Sequence, residues 1–123
     1  MEIIRWLLGR TVLFVNRVTW PPQGHRPPED QARVERELEG HALYQFNACP
    51  FCVKVRRTLR RLNLPMELRD ARAAGPHRRD LLEQGGQLKV PCLRIEQEDG
   101  NSRWLYESDD IIAYLQARFP LTN

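Results

Sequence analysis

The sequence is poor in features that define several large classes of proteins. Only three of its 123 residues are cysteine, whereas disulfide-stabilised secreted scaffolds usually carry a larger and even number. The net charge is only +3, and no basic segment is interleaved with aromatic residues, so we expect no nucleic-acid partner. A chain of this length has room for one domain. Two close cysteines and a distant third favour an intracellular redox or metal protein, for which we expect a cytoplasmic location.

The first 20 residues lack a long apolar run. Three arginines interrupt the segment, and its longest uncharged stretch, residues 11–16, is far short of the roughly 20 residues that span a bilayer. A cleaved secretory signal needs an unbroken apolar core and a small-residue cleavage site, and neither is clear here. We therefore predict no membrane-spanning helix and no cleaved signal.

The same segment has the periodicity of an amphipathic helix over residues 1–20. At 100° per residue its apolar side chains share one broad face, the arginines lie opposite, and tryptophans break up the polar side. This pattern suits a helix that lies in a membrane interface. The apolar face would also fit against the domain or a second copy of the chain, and these alternatives stay open. The apolar face comprises Ile3, Ile4, Leu7, Leu8, Thr11, Val12, Phe14, Val15 and Val18.

Residues 21–40 are predicted to be a linker ahead of a domain that spans residues 41–120. Four prolines and a glycine within residues 21–28 cannot continue a helix. Residues 29–40 are highly charged with few apolar positions, which predicts a solvated helix that Gly40 ends.

The domain pattern predicts the element order β-α-β-α-β-β-α. The βαβ unit makes two strands parallel, and Asp99-Gly100 marks a hairpin that adds an antiparallel strand. We therefore predict an α/β fold with a four-stranded mixed sheet and helices on its faces. The predicted strands are 42–46, 65–69, 91–95 and 102–105, and the predicted helices are 50–63, 76–84 and 109–118, the last capped by Ser108.

Two cysteines form a C-x-x-C motif, Cys49-Pro50-Phe51-Cys52, between a predicted strand and a predicted helix. Unpaired N–H groups and the helix dipole favour negative charge at a helix start, and a thiolate is the attacking species in disulfide exchange. Cys52 lies one turn further along the same face and is able to close a disulfide with Cys49. The motif therefore predicts a redox-active pair.

Other interpretations of the motif are weaker. A structural disulfide across so short a loop would constrain the unfolded chain little. A zinc site would need a second ligand pair of matching spacing, which Cys92 and the three histidines do not supply, so we predict no metal site. Cys92 itself is predicted to be a small buried residue of a strand rather than a reactive thiol.

At these residues the chain resembles the glutaredoxins, whose active site is Cys-Pro-aromatic-Cys after the first strand. The resemblance covers about residues 42–119 and implies a three-layer thioredoxin-like fold. It includes Val90-Pro91, which in that family is a cis peptide bond that faces the cysteines. It also includes Glu107-Ser108-Asp109 at the start of the last helix, where the Glu-Ser pair resembles the N-terminal domain of glutathione transferases. The implied glutathione-binding residues are Phe51, Val90, Pro91, Glu107, Ser108 and Asp109.

The resemblance implies a glutathione-dependent thiol–disulfide oxidoreductase with Cys49 and Cys52 as the catalytic residues. Its substrates would be protein disulfides or glutathionylated proteins, with glutathione as co-substrate and no tightly bound cofactor. The lysine that many glutaredoxins carry before the first cysteine is absent, and Arg78, Arg79, Gln84 or Lys89 would have to replace it.

Three other functions stay open at this point. A glutathione transferase would need a helical domain after the last predicted helix. Glutaredoxin-like proteins that hold an iron–sulfur cluster usually have glycine after a single cysteine, where this chain has Pro50. In a membrane-tethered redox adaptor, the segment 1–20 would make peripheral contact with a membrane.

Overall fold

The structure, a computed structural model, describes residues 2–18 and 20–121, with the side chains of all of these except 16–18. From the first strand onward the elements follow the predicted order β-α-β-α-β-β-α. The elements are α1 (Glu2–Val18), α2 (Pro28–Leu38), β1 (His41–Gln45), α3 (Pro50–Arg61), β2 (Glu67–Asp70), α4 (Pro76–Glu83), β3 (Cys92–Glu96), β4 (Ser102–Tyr106) and α5 (Ser108–Arg118).

The four strands form one mixed sheet in the order β2-β1-β3-β4. β1 is parallel to β2 and antiparallel to β3, and β3 is antiparallel to β4. Gly100 closes the hairpin between β3 and β4 with a φ of 85°, a conformation that glycine adopts without steric cost. This topology confirms the predicted four-stranded mixed sheet.

The central strands bury both of their faces. Leu43 and Leu93 pack on one side of the sheet against α3 and α5, whereas Tyr44 and Cys92 face the other side, where Leu81 of α4 covers them. All five residues of β1 are buried, as a strand covered on both faces requires. The helices therefore lie on both faces of the sheet, as predicted. The larger cluster comprises Val34, Leu38, Leu43, Val55, Leu59, Leu64, Met66, Leu93, Ile95, Ile111, Leu115 and Phe119.

The proline-rich segment before α2 is held against the domain. The Arg26 guanidinium donates hydrogen bonds to the backbone carbonyls of Leu62, Asn63 and Phe119, which lie at the C-terminal ends of α3 and α5. The Gln31 side-chain amide donates to the same Asn63 carbonyl at 2.9 Å. Backbone carbonyls at a helix C-terminus have no partner within the helix. Arg26 and Gln31, together called the Arg26 strap, therefore supply hydrogen bonds that these carbonyls would otherwise lack.

The helix predicted after the prolines is present as α2, but it is not a solvated helix. Val34 and Leu38 are buried in the core cluster and lie on one face because they are four residues apart. Two apolar residues at this spacing are enough to fix a short helix, although its average composition is strongly polar. The prediction failed because it weighed composition above spacing.

α1 confirms the predicted N-terminal helix, and most of the large side chains described on its apolar face stay exposed. Gly9, on the opposite face, lies against Ala48, since a Cβ atom on Gly9 would stand 3.2 Å from the Ala48 Cβ atom. Within the described residues, no helix is long and apolar enough to cross a membrane. The large side chains that stay 50–72% exposed on α1 are Ile3, Ile4, Trp6, Leu7, Leu8, Phe14 and Val15.

Candidate active site

Cys49 lies at the junction of β1 and α3, as its sequence position predicted. It occupies the N-cap of α3 with an extended backbone (φ −73°, ψ 124°), and Pro50 begins the helix, where its missing N–H costs nothing. The Val53 N–H closes the first helical turn on the Cys49 carbonyl at 2.9 Å. The Cys49 side chain is half-buried. It therefore combines access to solvent with the positive end of a helix dipole.

Cys52 is fully buried one turn further along α3. Burial, together with a smaller contribution from contact with Cys49, raises the pKa of its thiol to about 12. The Phe46 N–H, which donates to the Cys52 sulfur at 3.4 Å, acts in the opposite direction. The two cysteines of one motif are thus unequal, since only Cys49 is placed to meet a substrate in solution.

The Val90–Pro91 peptide bond is cis, as the resemblance implied. Pro91 is buried and directly precedes β3, whose first residue, Cys92, pairs with Tyr44 of β1 and with Tyr106 of β4. Pro91 thus lies one position beyond these pairs, at the edge of the sheet where these strand ends meet. The chain leaves β1 at this same edge and continues into the loop that carries Cys49. The half-buried Val90 precedes it at the same edge.

Glu107 and Ser108 lie at the same edge, where β4 leads into α5. Ser108 is the first helical residue and is buried, and Asp109 is exposed in the first turn. The prediction that Ser108 caps the helix is wrong. Glu107 occupies the N-cap in a left-handed conformation (φ 71°), which the sharp change of direction from strand to helix requires.

The candidate site is flanked by two ion pairs, which sequence reasoning did not predict. Lys89 pairs with Glu107, and Lys54 of α3 pairs with Asp109. Their partners are 18 and 55 residues apart in sequence, so no local pattern could have indicated them. Of the four residues named as substitutes for the missing lysine, Lys89 is thus placed beside the start of α5.

The remaining predicted residues occupy distinct environments. Phe51 is 62% exposed in the first turn of α3 and offers its ring to solvent beside Cys49. Cys92 is fully buried, which confirms its predicted place in a strand. Burial raises the pKa of the Cys92 thiol to about 12, although its hydrogen bond with Tyr106 opposes this shift.

The sequence of residues 43–123 matches the family described as glutathione S-transferase, N-terminal domain. The chain belongs to this family. Its mixed sheet, cis-proline and C-x-x-C motif at a helix start make its fold thioredoxin-like, as predicted.

The chain is also similar to three known proteins. Mouse prostaglandin E synthase 2 is 29% identical over 112 residues, which are 89% of this chain and 28% of that protein. A glutathione S-transferase from Drosophila melanogaster, isozyme E7, has a TM-score of 0.50 and 27% identity, and the match covers 67% of this chain and 36% of that chain. A wheat glutaredoxin has a TM-score of 0.47 and 23% identity over 73% of this chain and 84% of that chain. The chain thus spans only about a quarter of the length of the mouse relative.

Proposed function

We propose that the chain is a glutathione-dependent thiol–disulfide oxidoreductase that reduces protein–glutathione mixed disulfides, and also protein disulfides. The observation that carries the proposal is the position of a half-exposed Cys49 at the start of α3, beside a cis-proline and the start of a second helix. Membership in a family named for glutathione transfer supports glutathione as the co-substrate. No tightly bound cofactor is needed for this chemistry.

The first step is nucleophilic attack by the Cys49 thiolate on the glutathione sulfur of a mixed disulfide. A Cys49–glutathione disulfide forms, and the protein leaves as a thiolate that takes a proton from water. The free N–H groups at the start of α3 stabilise negative charge on the Cys49 sulfur before the attack. A glutathione thiolate then attacks the Cys49–glutathione disulfide, so that glutathione disulfide leaves and Cys49 is restored.

The glutathione is proposed to bind along the edge formed by Val90, Pro91 and the start of α5. The backbone of Val90 is adjacent to the cis bond, in position to pair with the peptide-like backbone of the ligand. Ser108 and the unpaired N–H groups of the first turn of α5 would hold the γ-glutamyl carboxylate, because a helix N-terminus favours an anion. Glu107 and Asp109 would receive its ammonium group, and Phe51 would cover the ligand from the other side.

The test is glutathione-dependent reduction of a small glutathione mixed disulfide by the wild type, Cys49→Ser and Cys52→Ser. We expect activity in the wild type, at least a hundredfold loss in Cys49→Ser and most of the activity in Cys52→Ser, because this route needs only one thiol. Full activity in Cys49→Ser would contradict the proposal. Conjugation of glutathione to an electrophile, without disulfide reduction, would instead indicate a transferase.

We also propose that the chain is cytoplasmic and makes peripheral contact with a membrane, and the exposed apolar face of α1 supports the membrane contact. Arg5 and Arg10 would meet anionic headgroups while Leu7 and Phe14 enter the acyl boundary. We expect the wild type to sediment with vesicles that contain an anionic lipid, and the double variant Leu7→Ser and Phe14→Ser to stay in the supernatant. Equal sedimentation of both proteins would remove the membrane proposal.

A further inference from the structure

The Arg56 side chain of α3 reaches back into the loop that carries Cys49. Its guanidinium donates hydrogen bonds to the Gln45 side-chain oxygen, to the Phe46 carbonyl at 3.3 Å and to the Asn47 carbonyl at 2.7 Å. The planar fork of an arginine suits several acceptors at once, which a lysine ammonium does not reproduce. Arg56 is therefore a clamp between α3 and the end of β1, rather than a solvated surface charge.

The clamped loop contacts both cysteines. The Phe46 N–H donates to the Cys52 sulfur at 3.4 Å, and the Phe46 carbonyl accepts from the Cys49 N–H at 3.4 Å. Arg56 binds that same Phe46 carbonyl. Through its two backbone polar groups, Phe46 thus links the arginine to both cysteines: its carbonyl binds Arg56 and the Cys49 N–H, and its N–H donates to the Cys52 sulfur.

The charge of Arg56 acts on the same pair of sulfurs. Burial lowers the pKa of the half-buried guanidinium, whereas attraction to Cys52, and to a smaller extent to Cys49, raises it. The attraction is mutual, so Arg56 lowers the pKa of the Cys52 thiol against the larger effect of burial. Because this attraction requires a negative charge on the sulfur, it acts when Cys52 ionises.

We propose that Arg56 is the positioning residue that enables Cys52 to act as the resolving thiol, a role that rests on the proposed redox function. The Cys49 thiolate first attacks a protein disulfide and releases one protein thiolate. The Cys52 thiol then loses its proton to water, and the resulting thiolate attacks the Cys49 sulfur. The second protein thiolate leaves, and a Cys49–Cys52 disulfide forms, which two glutathione molecules reduce to two thiols and one glutathione disulfide.

The role can be measured in a single turnover with Ellman's reagent, without a physiological substrate. Cys49 attacks the reagent and releases one coloured thionitrobenzoate, and attack by Cys52 on the resulting mixed disulfide releases a second. The two releases report the two cysteines separately. A Cys52→Ser variant gives the first release alone, and it accounts for any slow reaction at the buried Cys92.

We expect Arg56→Gln to slow the second release by about tenfold or more near neutral pH, and the first release by about threefold at most, because the Cys52 thiolate loses a nearby positive charge and the loop loses its clamp. The pH profile of the second release should move to higher pH. Arg56→Lys, which keeps the charge but not the fork, should fall between the wild type and Arg56→Gln. Arg61→Gln removes a charge from the exposed end of the same helix and should leave both rates unchanged.

Two results would overturn the role of Arg56. One is an equal slowing of both releases in Arg56→Gln, which would indicate general damage to the loop. The other is a second release with an unchanged rate and pH profile. Failure of the proposed function would look different, because the wild type would then show both releases with Ellman's reagent but no glutathione-dependent reduction of mixed disulfides.

Discussion

Exposure divides the three cysteine residues into one accessible thiol and two buried ones. Cys49 is half-buried at the start of α3, while Cys52 and Cys92 are fully buried. Burial raises the pKa of each buried thiol to about 12, so only a minute fraction of either is ionised near neutral pH. The position of a thiol in the fold, rather than its presence in a C-x-x-C motif, therefore decides which cysteine attacks first.

At the residue scale, Ser108 tests the proposed site for the γ-glutamyl carboxylate. We expect Ser108→Ala to raise KM for glutathione by about tenfold with little change in kcat, because a hydrogen bond to a charged group contributes about 1.5–3 kcal/mol. The control variant Ser102→Ala removes a serine hydroxyl at the other end of β4, and it should leave KM unchanged. Steady-state kinetics that give Ser108→Ala the KM of the wild type would show that glutathione does not reach this hydroxyl.

The motif residues were also the part of the site most accessible to sequence reasoning. The places of Cys49 and Cys52 follow from local chemistry, since a C-x-x-C followed by helix periodicity fixes both. The N-cap of α5 could not be predicted in this way, because serine, the residue type of Ser108, is common at N-caps, whereas glutamate, the residue type of Glu107, is not. Its left-handed backbone follows from the path of the chain between β4 and α5, which no local pattern records.

Among the helices and strands, α3 and α5 have C-terminal carbonyls that the Arg26 strap binds, and this contact stabilises both helix ends. We expect Arg26→Ala to lower the free energy of unfolding by about 1.5–3 kcal/mol, because several carbonyls lose a charged donor. Arg33→Ala removes an exposed arginine that pairs with Asp30 in the same helix, and should cost less than about 1 kcal/mol. Urea unfolding measures how much free energy of unfolding each variant loses, and equal losses in the two variants would show that the strap adds no stability.

His41, at the start of β1, gives the packing of α2, β1 and α5 a pH dependence. Its Nδ1 atom lies 3.0 Å from the Glu37 carbonyl of α2, and its Nε2 atom lies 2.9 Å from the Tyr114 hydroxyl of α5. Burial lowers the pKa of His41 and outweighs the opposing effect of the Glu37 carbonyl. The unfolded chain therefore takes up a proton at a higher pH than the folded chain does.

It follows that the free energy of unfolding falls as the pH drops through about 6.5, until the lower pKa of the folded state is reached. We expect the urea midpoint of the wild type to decrease between about pH 7.5 and pH 5.5, and the decrease to be smaller in His41→Gln, which keeps a donor and an acceptor but does not titrate. The same slope in both proteins would assign the pH dependence to other groups.

Across the elements, prediction from sequence succeeded where the pattern was periodic or bounded by prolines and glycines. The helices after Pro50 and Pro76 begin where predicted, because proline at a first helical turn is a local signal. β2 begins at Glu67 rather than Pro65, since proline has no N–H to give to the ladder with β1. The burial of α2 was missed because it depends on the distant surface that α3 and α5 offer.

At the scale of the whole molecule, the sheet order brings together groups that are far apart in sequence. β3 lies between β1 and β4, so the cis-proline before β3 falls between the Cys49 loop after β1 and the start of α5 after β4. The ion pairs of Lys89 with Glu107 and Lys54 with Asp109 depend on the same arrangement. Sequence motifs named the residues of the candidate site, whereas their contacts required the three-dimensional fold.

In the proposed reaction Cys49 accepts glutathione, and trapping this intermediate shows whether it does. The Cys52→Ser variant is incubated with glutathione disulfide and analysed by mass spectrometry of the intact protein and of its peptides. We predict one glutathione per chain, attached to Cys49, and none on the double variant Cys49→Ser and Cys52→Ser. Attachment of glutathione at Cys92, or no attachment to the single variant, would contradict the proposed role of Cys49.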